Sequence, residues 1–430
     1  MRRLRRKCCA PVAFNVKWSS SMHKLFTQVG LLLIVCGTSA FAQEGAYQSV
    51  IESSVWRSYI TELATHSERE VDRALLSRRC EELLAGRRLT LQQALDNCIA
   101  KTLESIDDFG SYEKPADFSR RKASGPPFVG IALELLNGKT AGEPLRVIST
   151  IANGPGARAG VHAGDEILAV DGKSLLPLDM NEALAALRGP PGSRLSLLIQ
   201  RPNETLTISA VREEVSINYV RFKRYPGDIL YSRISFFRDR VTESQFYTQL
   251  VANAPGDSER AFILDLRNCP GGSLDEIISV ASLFTKPDTA LLKRTSRARQ
   301  DQLVSASRET PTSAQSAEVV DLLKKIPLYI LVNGRTSVGA EALALALHKS
   351  RNAIIVGSRT AGLNFVQQRI VLEDQVAITV TTGRLLTAAG DDWRERGIPI
   401  DVRAPESEGH EFGILPGDTI LAAALKKIAE

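Results

Sequence analysis

The second half of the chain alternates short apolar runs with helical stretches, and this alternation constrains the fold most. Ala261 to Leu266 predicts a buried strand, and the helical pattern of Leu274 to Phe284 follows it. Pro327 to Val332 and then Gly339 to His348 repeat the same order. Such a strand–helix order is typical of a largely parallel sheet with helices on its faces. We therefore expect an α/β core over residues 213–405.

Three other regions complete a multidomain α/β protein. Residues 43–120 carry leucines at helical spacing and predict an N-terminal helical segment, in which Thr90 caps a helix. Residues 125–212 show short strands, a hairpin turn at Asp171-Gly172 and one short helix. Residues 406–430 form a C-terminal tail and helix. The polar stretches predict loops, and they are Ser105 to Lys122 and Ser296 to Ala317. The short helix is expected from Asp179, its cap, to Leu187.

The first 42 residues read as a signal peptide. A positive residue, Lys24, precedes the apolar run Val29 to Val35, and Ala40-Phe41-Ala42 resembles a cleavage site. The run is too short for a stable membrane span, although an uncleaved anchor is the alternative. Met22 is an alternative start. We expect export to the periplasm or the extracellular space.

Composition excludes several classes of function. The 430 residues carry a net charge of only +5, which argues against nucleic acid as a partner. The histidines and cysteines lack metal-ligand spacing, so no metal or other cofactor is expected. Cys80, Cys98 and Cys269 lie outside the signal peptide, which allows one internal disulfide at most. Gly86 would let Cys80 and Cys98 meet in a helical hairpin, and two reduced core cysteines are the alternative.

Several segments resemble, in the same order, the carboxyl-terminal processing (tail-specific) serine peptidases. FVGIALEL (128–135) and GPGARAGVHAGDEILAVDG (154–172) are similar to a bacterial-type PDZ domain. ILDLRNCPGGSLDE (263–276) resembles the family's strand–Gly-Gly–helix turn, and LVNGRTSVGAEALALAL (331–347) its nucleophile segment. VGSRTAGLNFVQ (356–367) resembles its lysine segment. The resemblance implies a peptide-binding domain joined to a peptidase-type core.

The resemblance also implies where peptides bind. A PDZ domain takes an extended C-terminal tail by strand addition and holds its carboxylate with backbone amides. The predicted strand Phe128 to Leu135 would be the edge that pairs with the tail, with a helix as the other wall. The peptide-binding residues would be Phe128, Val129, Gly130, Ile131, Leu184 and Leu187. The alternative is a domain that only scaffolds or regulates.

The Gly271-Gly272 turn follows a buried strand and opens a helix. Backbone amides at such a helix start face negative charge, which is the basis of an oxyanion hole. Gly339, beside the family's nucleophile position, completes this oxyanion-type turn in the resemblance. A plain left-handed turn without that role is the alternative.

Both reactive positions of the family depart from its pattern. With Asn333 and Glu341 as fixed points, Val338 stands where the nucleophilic serine belongs. Leu363 stands where the general-base lysine belongs, and Gln367, which in the family orients that lysine, is retained with nothing to orient. Valine offers no nucleophilic atom and leucine no ionisable group.

These departures predict a pseudo-peptidase that binds unstructured C-terminal tails as an adaptor or regulator in the envelope. Its partners would be such tails, an active family member or an envelope adaptor. The first alternative is an active peptidase with Ser337 as nucleophile and His348 or Lys349 as base. The second is a structural or homo-oligomerising envelope protein.

Overall fold

The structure, a computed structural model, describes most of the chain from residue 47 onward. It covers residues 47–430 except 124–127, 137–142, 152–153, 179, 216, 257, 298, 308–313, 407–412 and 416. The expected signal peptide and the Asp179 cap therefore lie outside the described residues. Within the covered ranges, no helix combines the length and hydrophobicity that a membrane crossing needs.

Three described helices of the N-terminal part bury their apolar faces in one shared core. They are α1 (Ser54–His66), α2 (Arg73–Leu84) and α3 (Leu91–Glu104). The Thr90 hydroxyl accepts the Gln93 amide at 3.2 Å, and the Gln93 side chain accepts the Thr90 amide at 3.0 Å. This reciprocal pair satisfies two amides at the start of α3 and confirms the predicted cap.

The region predicted as a loop between Ser105 and Lys122 contains regular structure instead. Strand β1 (Ser111–Glu113) is followed by helix α4 (Pro115–Ala123). The partner of β1 is the long strand Ala377–Thr387, which lies more than 260 residues further along the chain. The loop prediction was wrong because distant backbone pairing, rather than a local apolar pattern, makes this strand.

A PDZ-like domain follows, built on an antiparallel sheet with the order β3-β4-β5-β7-β8. Asp171 (φ 49°) and Gly172 (φ 76°) form the predicted hairpin turn in the left-handed region. The elements are β2 (Phe128–Gly130), β3 (Leu133–Leu136), β4 (Leu145–Thr150), α5 (Pro155–Arg158), β5 (Glu166–Val170), β6 (Lys173–Ser174), α6 (Met180–Leu187), β7 (Arg194–Arg201), β8 (Glu204–Val211) and β9 (Glu213–Val215).

The predicted single strand from Phe128 to Leu135 is two strands in different sheets. β2 pairs with β9, whereas β3 pairs with β4 and forms the edge of the larger sheet. The break lies at Ala132, whose φ is +57°. The Ala132 carbonyl accepts the Ile151 amide at 3.0 Å, and the Ile131 carbonyl accepts the Gly156 amide at 2.8 Å. These bonds to another segment replace the pairing of a continuous strand.

The core contains a six-stranded sheet that is parallel except at one edge. Among the described strands, its order is β10-β11-β12-β15-β16-β19, and β10 alone runs antiparallel to its neighbour. This confirms the predicted α/β core with a mostly parallel sheet. The elements are β10 (Val220–Tyr225), β11 (Ile229–Ile234), α7 (Thr242–Ala252), β12 (Ala261–Asp265), α8 (Leu274–Phe284), β15 (Leu328–Val332), α10 (Gly339–Arg351), β16 (Ile354–Gly357) and β19 (Val402–Arg403).

A second sheet packs beside the first and reaches back to the N-terminal helices. It has the order β1-β18-β13-β14, with β17 also paired to β18. Part of the predicted Ser296 to Ala317 loop is strand β14, which forms a hairpin with β13. Its exposed, polar residues hid the strand from a hydrophobicity pattern. The elements are β13 (Ala290–Ser296), β14 (Arg299–Ser305), α9 (Ala314–Leu323), β17 (Phe365–Val371) and β18 (Ala377–Thr387).

A buried ionic network ties the C-terminal helix α11 (Thr419–Ala429) to the parallel sheet. Arg267 donates to Asp265 and to both carboxylate oxygens of Asp418, at 2.6 and 2.7 Å. Tyr231 also donates to Asp265, at 2.7 Å. All these charges are paired, which is the condition for burying them at acceptable cost.

Candidate functional site

The Gly271-Gly272 turn lies directly against the start of α10. Both glycines have positive φ, 97° and 138°. A Cβ on Gly271 would lie 2.6 Å from the Gly339 nitrogen, and one on Gly272 would lie 2.2 Å from the Phe237 carbonyl oxygen. A Cβ on Gly339 would lie 2.3 Å from Ile277. Only glycine fits at positions 271 and 272, where the close atoms are backbone, whereas at Gly339 the close atom is the flexible end of the Ile277 side chain. The structure brings the three expected oxyanion-type residues together.

Val338 occupies the N-cap of α10 in an unusual backbone conformation, with φ 44° and ψ −104°. A positive φ is an outlier for a β-branched residue and costs about 1–3 kcal/mol. The preceding amide, that of Ser337, donates to the Cys269 carbonyl at 3.1 Å. The turn that carries Val338 is therefore held against the chain that leads into Gly271.

A buried carboxylate joins the two positions that depart from the family pattern. Glu341, fully buried, accepts at Oε2 the amides of Val338 (3.1 Å) and Leu363 (2.9 Å). Its Oε1 accepts the Gly362 amide at 2.8 Å and the Thr360 hydroxyl. Because one oxygen receives both amides, Val338 and Leu363 are neighbours.

This environment shifts the pKa of the Glu341 carboxyl in two opposing directions. Burial raises the pKa of the carboxyl above its ordinary value, and the four hydrogen bonds oppose that rise without reversing it. The sequence used Glu341 only as a fixed point for spacing. Its capacity to join segments about twenty residues apart is visible only in three dimensions.

The Leu363 segment is packed rather than poised for chemistry. The Leu363 carbonyl accepts the Trp393 indole N–H at 3.2 Å. The side-chain amide of the buried Asn364 donates to the Leu385 carbonyl at 2.8 Å and to Asp392 at 2.9 Å. Exposed Gln367 donates to the Phe109 carbonyl at 2.7 Å. This bond joins β17 to the N-terminal part.

The alternative bases lie at the far end of α10. His348 contacts the Ala353 carbonyl through Nδ1 at 2.8 Å, and Lys349 is 4.0 Å from Asp391. They lie eleven and twelve residues beyond Ser337, which corresponds to roughly 17 Å along a helix. The structure does not bring either base to Ser337.

The expected peptide-binding residues line one cavity of about 490 Å³ between the PDZ-like domain and the core. Val129, Gly130, Ile131, Leu184 and Leu187 all contribute to its wall. The side chain of Phe128 lies outside the described residues. The unpaired edge of β3 faces this cavity, which is the geometry that strand addition requires.

An ion pair that the sequence did not indicate joins β3 to the core. Arg233, only 4% exposed, donates to both oxygens of Glu134 at 2.6 and 2.8 Å, and Ser149 donates to Glu134 at 2.8 Å. Burial alone would raise the pKa of Glu134, but the charge and hydrogen bonds of Arg233 outweigh it and hold the pKa low. The carboxylate on the edge strand is therefore already neutralised from the core side.

Two of the described cysteines form a disulfide, and the third is a free thiol. Cys80 and Cys98 form a disulfide between α2 and α3. Cys269 is a buried free thiol, and burial raises its pKa to about 12. Across the described ranges, no cluster of three or more histidine, cysteine or acidic side chains could hold a metal ion.

Comparison with known proteins places the chain in a family. A model of peptidase family S41 matches residues 228–404, and a PDZ domain model matches residues 146–201. The chain is 30% identical over 318 residues to a carboxy-terminal-processing protease of Bartonella bacilliformis, covering 72% of this chain and 69% of that one. The chain belongs to the carboxy-terminal-processing protease family.

Two further comparisons give lower identities. The carboxy-terminal processing protease CtpA of Bacillus subtilis is 26% identical over 315 residues, which cover 72% of this chain and 64% of that protein. The solved structure of a photosystem II D1 C-terminal processing protease matches with a TM-score of 0.57 and 22% identity, covering 91% and 97% of the two chains. That likeness shows a shared fold.

Proposed function

We propose that the protein is a catalytically inactive member of its family that binds flexible C-terminal tails of other proteins. The observation that carries this proposal is the pair Val338 and Leu363, adjacent around Glu341. A peptidase of this type needs a nucleophile at one position and a proton acceptor at the other. Neither side chain supplies one, so acyl-enzyme formation has no starting group.

The replacements also suit a site that no longer reacts. Removing one polar partner would leave the other buried alone, at a cost of about 1–3 kcal/mol. Valine and leucine together leave no such group behind. The cavity beside β3 persists, which supports retained tail binding as an adaptor or regulator. The signal-like residues 1–42 support export, and the active relatives suggest a family member or an envelope adaptor as partner.

The first experiment measures peptidase activity of protein beginning at Gln43. Unfolded casein should remain intact, and a fluorophosphonate probe should not label the protein. The double variant Val338→Ser with Leu363→Lys should regain little activity. The side-chain amide of Asn364 donates to Leu385 and Asp392 and holds the segment in its present conformation, whereas the family's lysine segment has glycine at this position. Casein turnover that Ser337→Ala abolishes would establish the active alternative instead.

The second experiment measures tail binding by calorimetry. A peptide ending in Ala-Ala should bind with a Kd on the order of micromolar, because ordering a flexible tail offsets much of the contact energy. The same peptide with an amidated C-terminus should bind more weakly. Equal binding of both forms would remove carboxylate recognition, and binding of neither would favour the structural or oligomerising role.

A further inference from the structure

The cavity between the PDZ-like domain and the core extends beyond the peptide groove to the family's nucleophile turn. Leu133 and Leu135 of the edge strand β3 line it, and so do Asn268, Pro270 and Arg335. Arg335 lies three residues before Val338. Its volume of about 490 Å³ falls in the range of pockets that enclose ligands. A tail added to β3 would therefore meet core residues as well as the PDZ-like groove.

The charges around this cavity are mostly positive. Among the described residues that line it, Glu134 is the one carboxylate, whereas Arg188, Arg221 and Arg335 contribute three guanidinium groups. The charge of Glu134 is neutralised by Arg233, which donates to both of its oxygens from behind the wall. Apolar walls of low dielectric focus the field of the remaining charges onto whatever enters.

Arg335 differs from its two neighbours in the cavity. Within the described ranges, its guanidinium has neither a hydrogen bond nor an ion pair, although the side chain is partly buried. Its amide alone is fixed, donating to the Asn333 side chain at 3.2 Å. A guanidinium presents five donors in a planar fork that matches a carboxylate. The fork of Arg335 is available to a ligand at the core end of the cavity.

We propose that Arg335 binds an acidic side chain of the tail, a few residues before its C-terminus. The ligand is then a flexible protein tail with an apolar end in the groove and an Asp or Glu upstream that reaches the core. This inference rests on the proposed tail-binding function. It adds that tails with an acidic residue upstream bind more tightly than tails without one. Arg335 acts as a specificity residue for binding, and no bond is made or broken.

The test is a positional scan with fluorescent peptides measured by anisotropy against the full chain. Each peptide ends in Ala-Ala and carries either Glu or Gln at one of the five preceding positions. At one position, Glu should bind about tenfold more tightly than Gln, which is the size expected for a charged hydrogen bond. The preference should shrink as NaCl is raised, since salt screens partly exposed charges.

Variants of the protein assign the preference to Arg335. Arg335→Gln should reduce it below twofold, and Arg335→Lys should retain part of it, which separates lost charge from lost folding. Arg240→Gln is the matched control, because that side chain is 92% exposed outside the cavity. It should keep the full preference. Intrinsic tryptophan emission reports whether each variant keeps the native fold.

The outcomes separate this inference from the function on which it rests. Tails that bind with no preference for Glu at any position would overturn the role of Arg335 and leave tail binding intact. A preference that survives in Arg335→Gln would also overturn it. If Arg335→Gln instead abolishes the difference between free and amidated peptides, the residue reads the terminal carboxylate and the proposal is wrong. Absence of binding by every peptide would refute both.

Discussion

Replacing Glu341 with glutamine should loosen the whole candidate site, because a single carboxylate receives four donors. Oε2 serves the Val338 and Leu363 amides, and Oε1 serves the Gly362 amide and the Thr360 hydroxyl. A glutamine NH₂ group cannot accept a hydrogen bond. Whichever carboxylate oxygen it replaces, two donors then face another donor in place of an acceptor. Each stranded buried group costs about 1–3 kcal/mol.

The expected destabilisation is about 2–4 kcal/mol, since removing a buried charge returns part of the loss. For a domain of this size, that corresponds to a fall in Tm of roughly 6–12 °C. Calorimetry at neutral pH measures it. A local readout is available in Trp393, whose indole donates to the Leu363 carbonyl. In protein that begins at Gln43 and carries Trp56→Phe, Trp393 is the single tryptophan. Its emission should shift to longer wavelength as the Leu363 segment loosens.

Glu276→Gln provides the matched control. Glu276 is also buried, and it accepts the Glu243 amide at 2.7 Å. Its replacement should cost about 1 kcal/mol, the value of an ordinary lost hydrogen bond, and should leave Trp393 emission unchanged. If Glu341→Gln is no more destabilising than this control and its emission does not move, the carboxylate does not hold the two segments together.

Three further predictions follow from other contacts. Removing the disulfide with Cys80→Ser and Cys98→Ser should lower the free energy of unfolding by about 3 kcal/mol, because the bridge closes a loop of 18 residues. The unsubstituted protein beginning at Gln43 should show one free thiol after denaturation, and three would contradict the bridge. Burial would raise the pKa of Asp418, but Arg267 outweighs it and lowers the pKa. The stability that Asp418 contributes is therefore present at neutral pH and is lost as pH falls below about 3.9. Asp418→Asn should lower the free energy of unfolding by roughly 3 kcal/mol at neutral pH, and denaturation curves should show a smaller difference from the unchanged protein at acid pH. A difference that stays constant with pH would argue against the pairing. Leu184→Asn should weaken tail binding about tenfold in calorimetry, whereas Val338→Ser should not, and the reverse order would move the binding site away from the groove.

The sequence predicted the parallel core well because its strands are continuous apolar runs. Ala261–Asp265 and Leu328–Val332 are buried at every position, and helix α8 begins and ends where its periodicity indicates. The missed strands, β1 and β14, are short or exposed and exist through pairing with distant segments. Local hydrophobicity carries no record of such pairing.

The candidate site was only partly accessible to the same reasoning. Spacing alone located Val338 and Leu363 relative to the family's reactive positions, and those roles remain predictions. The carboxylate of Glu341 was not foreseen as their junction, because its partners come from separate loops. Arg335 lies between the fixed points Asn333 and Glu341 and carries no sequence signal of its own, and only the cavity brings it next to the groove.

The strained backbone at Val338 indicates that the surroundings of the turn hold it in place. A valine at φ 44° gains nothing from that conformation, so its surroundings must impose it. The Glu341 carboxylate holds its amide, the Cys269 carbonyl holds the amide before it, and Gly271 packs against the residue after it. None of these contacts uses a nucleophile or a base. The scaffold therefore holds the turn in place independently of any reactive side chain, and with it the cavity wall that carries Arg335.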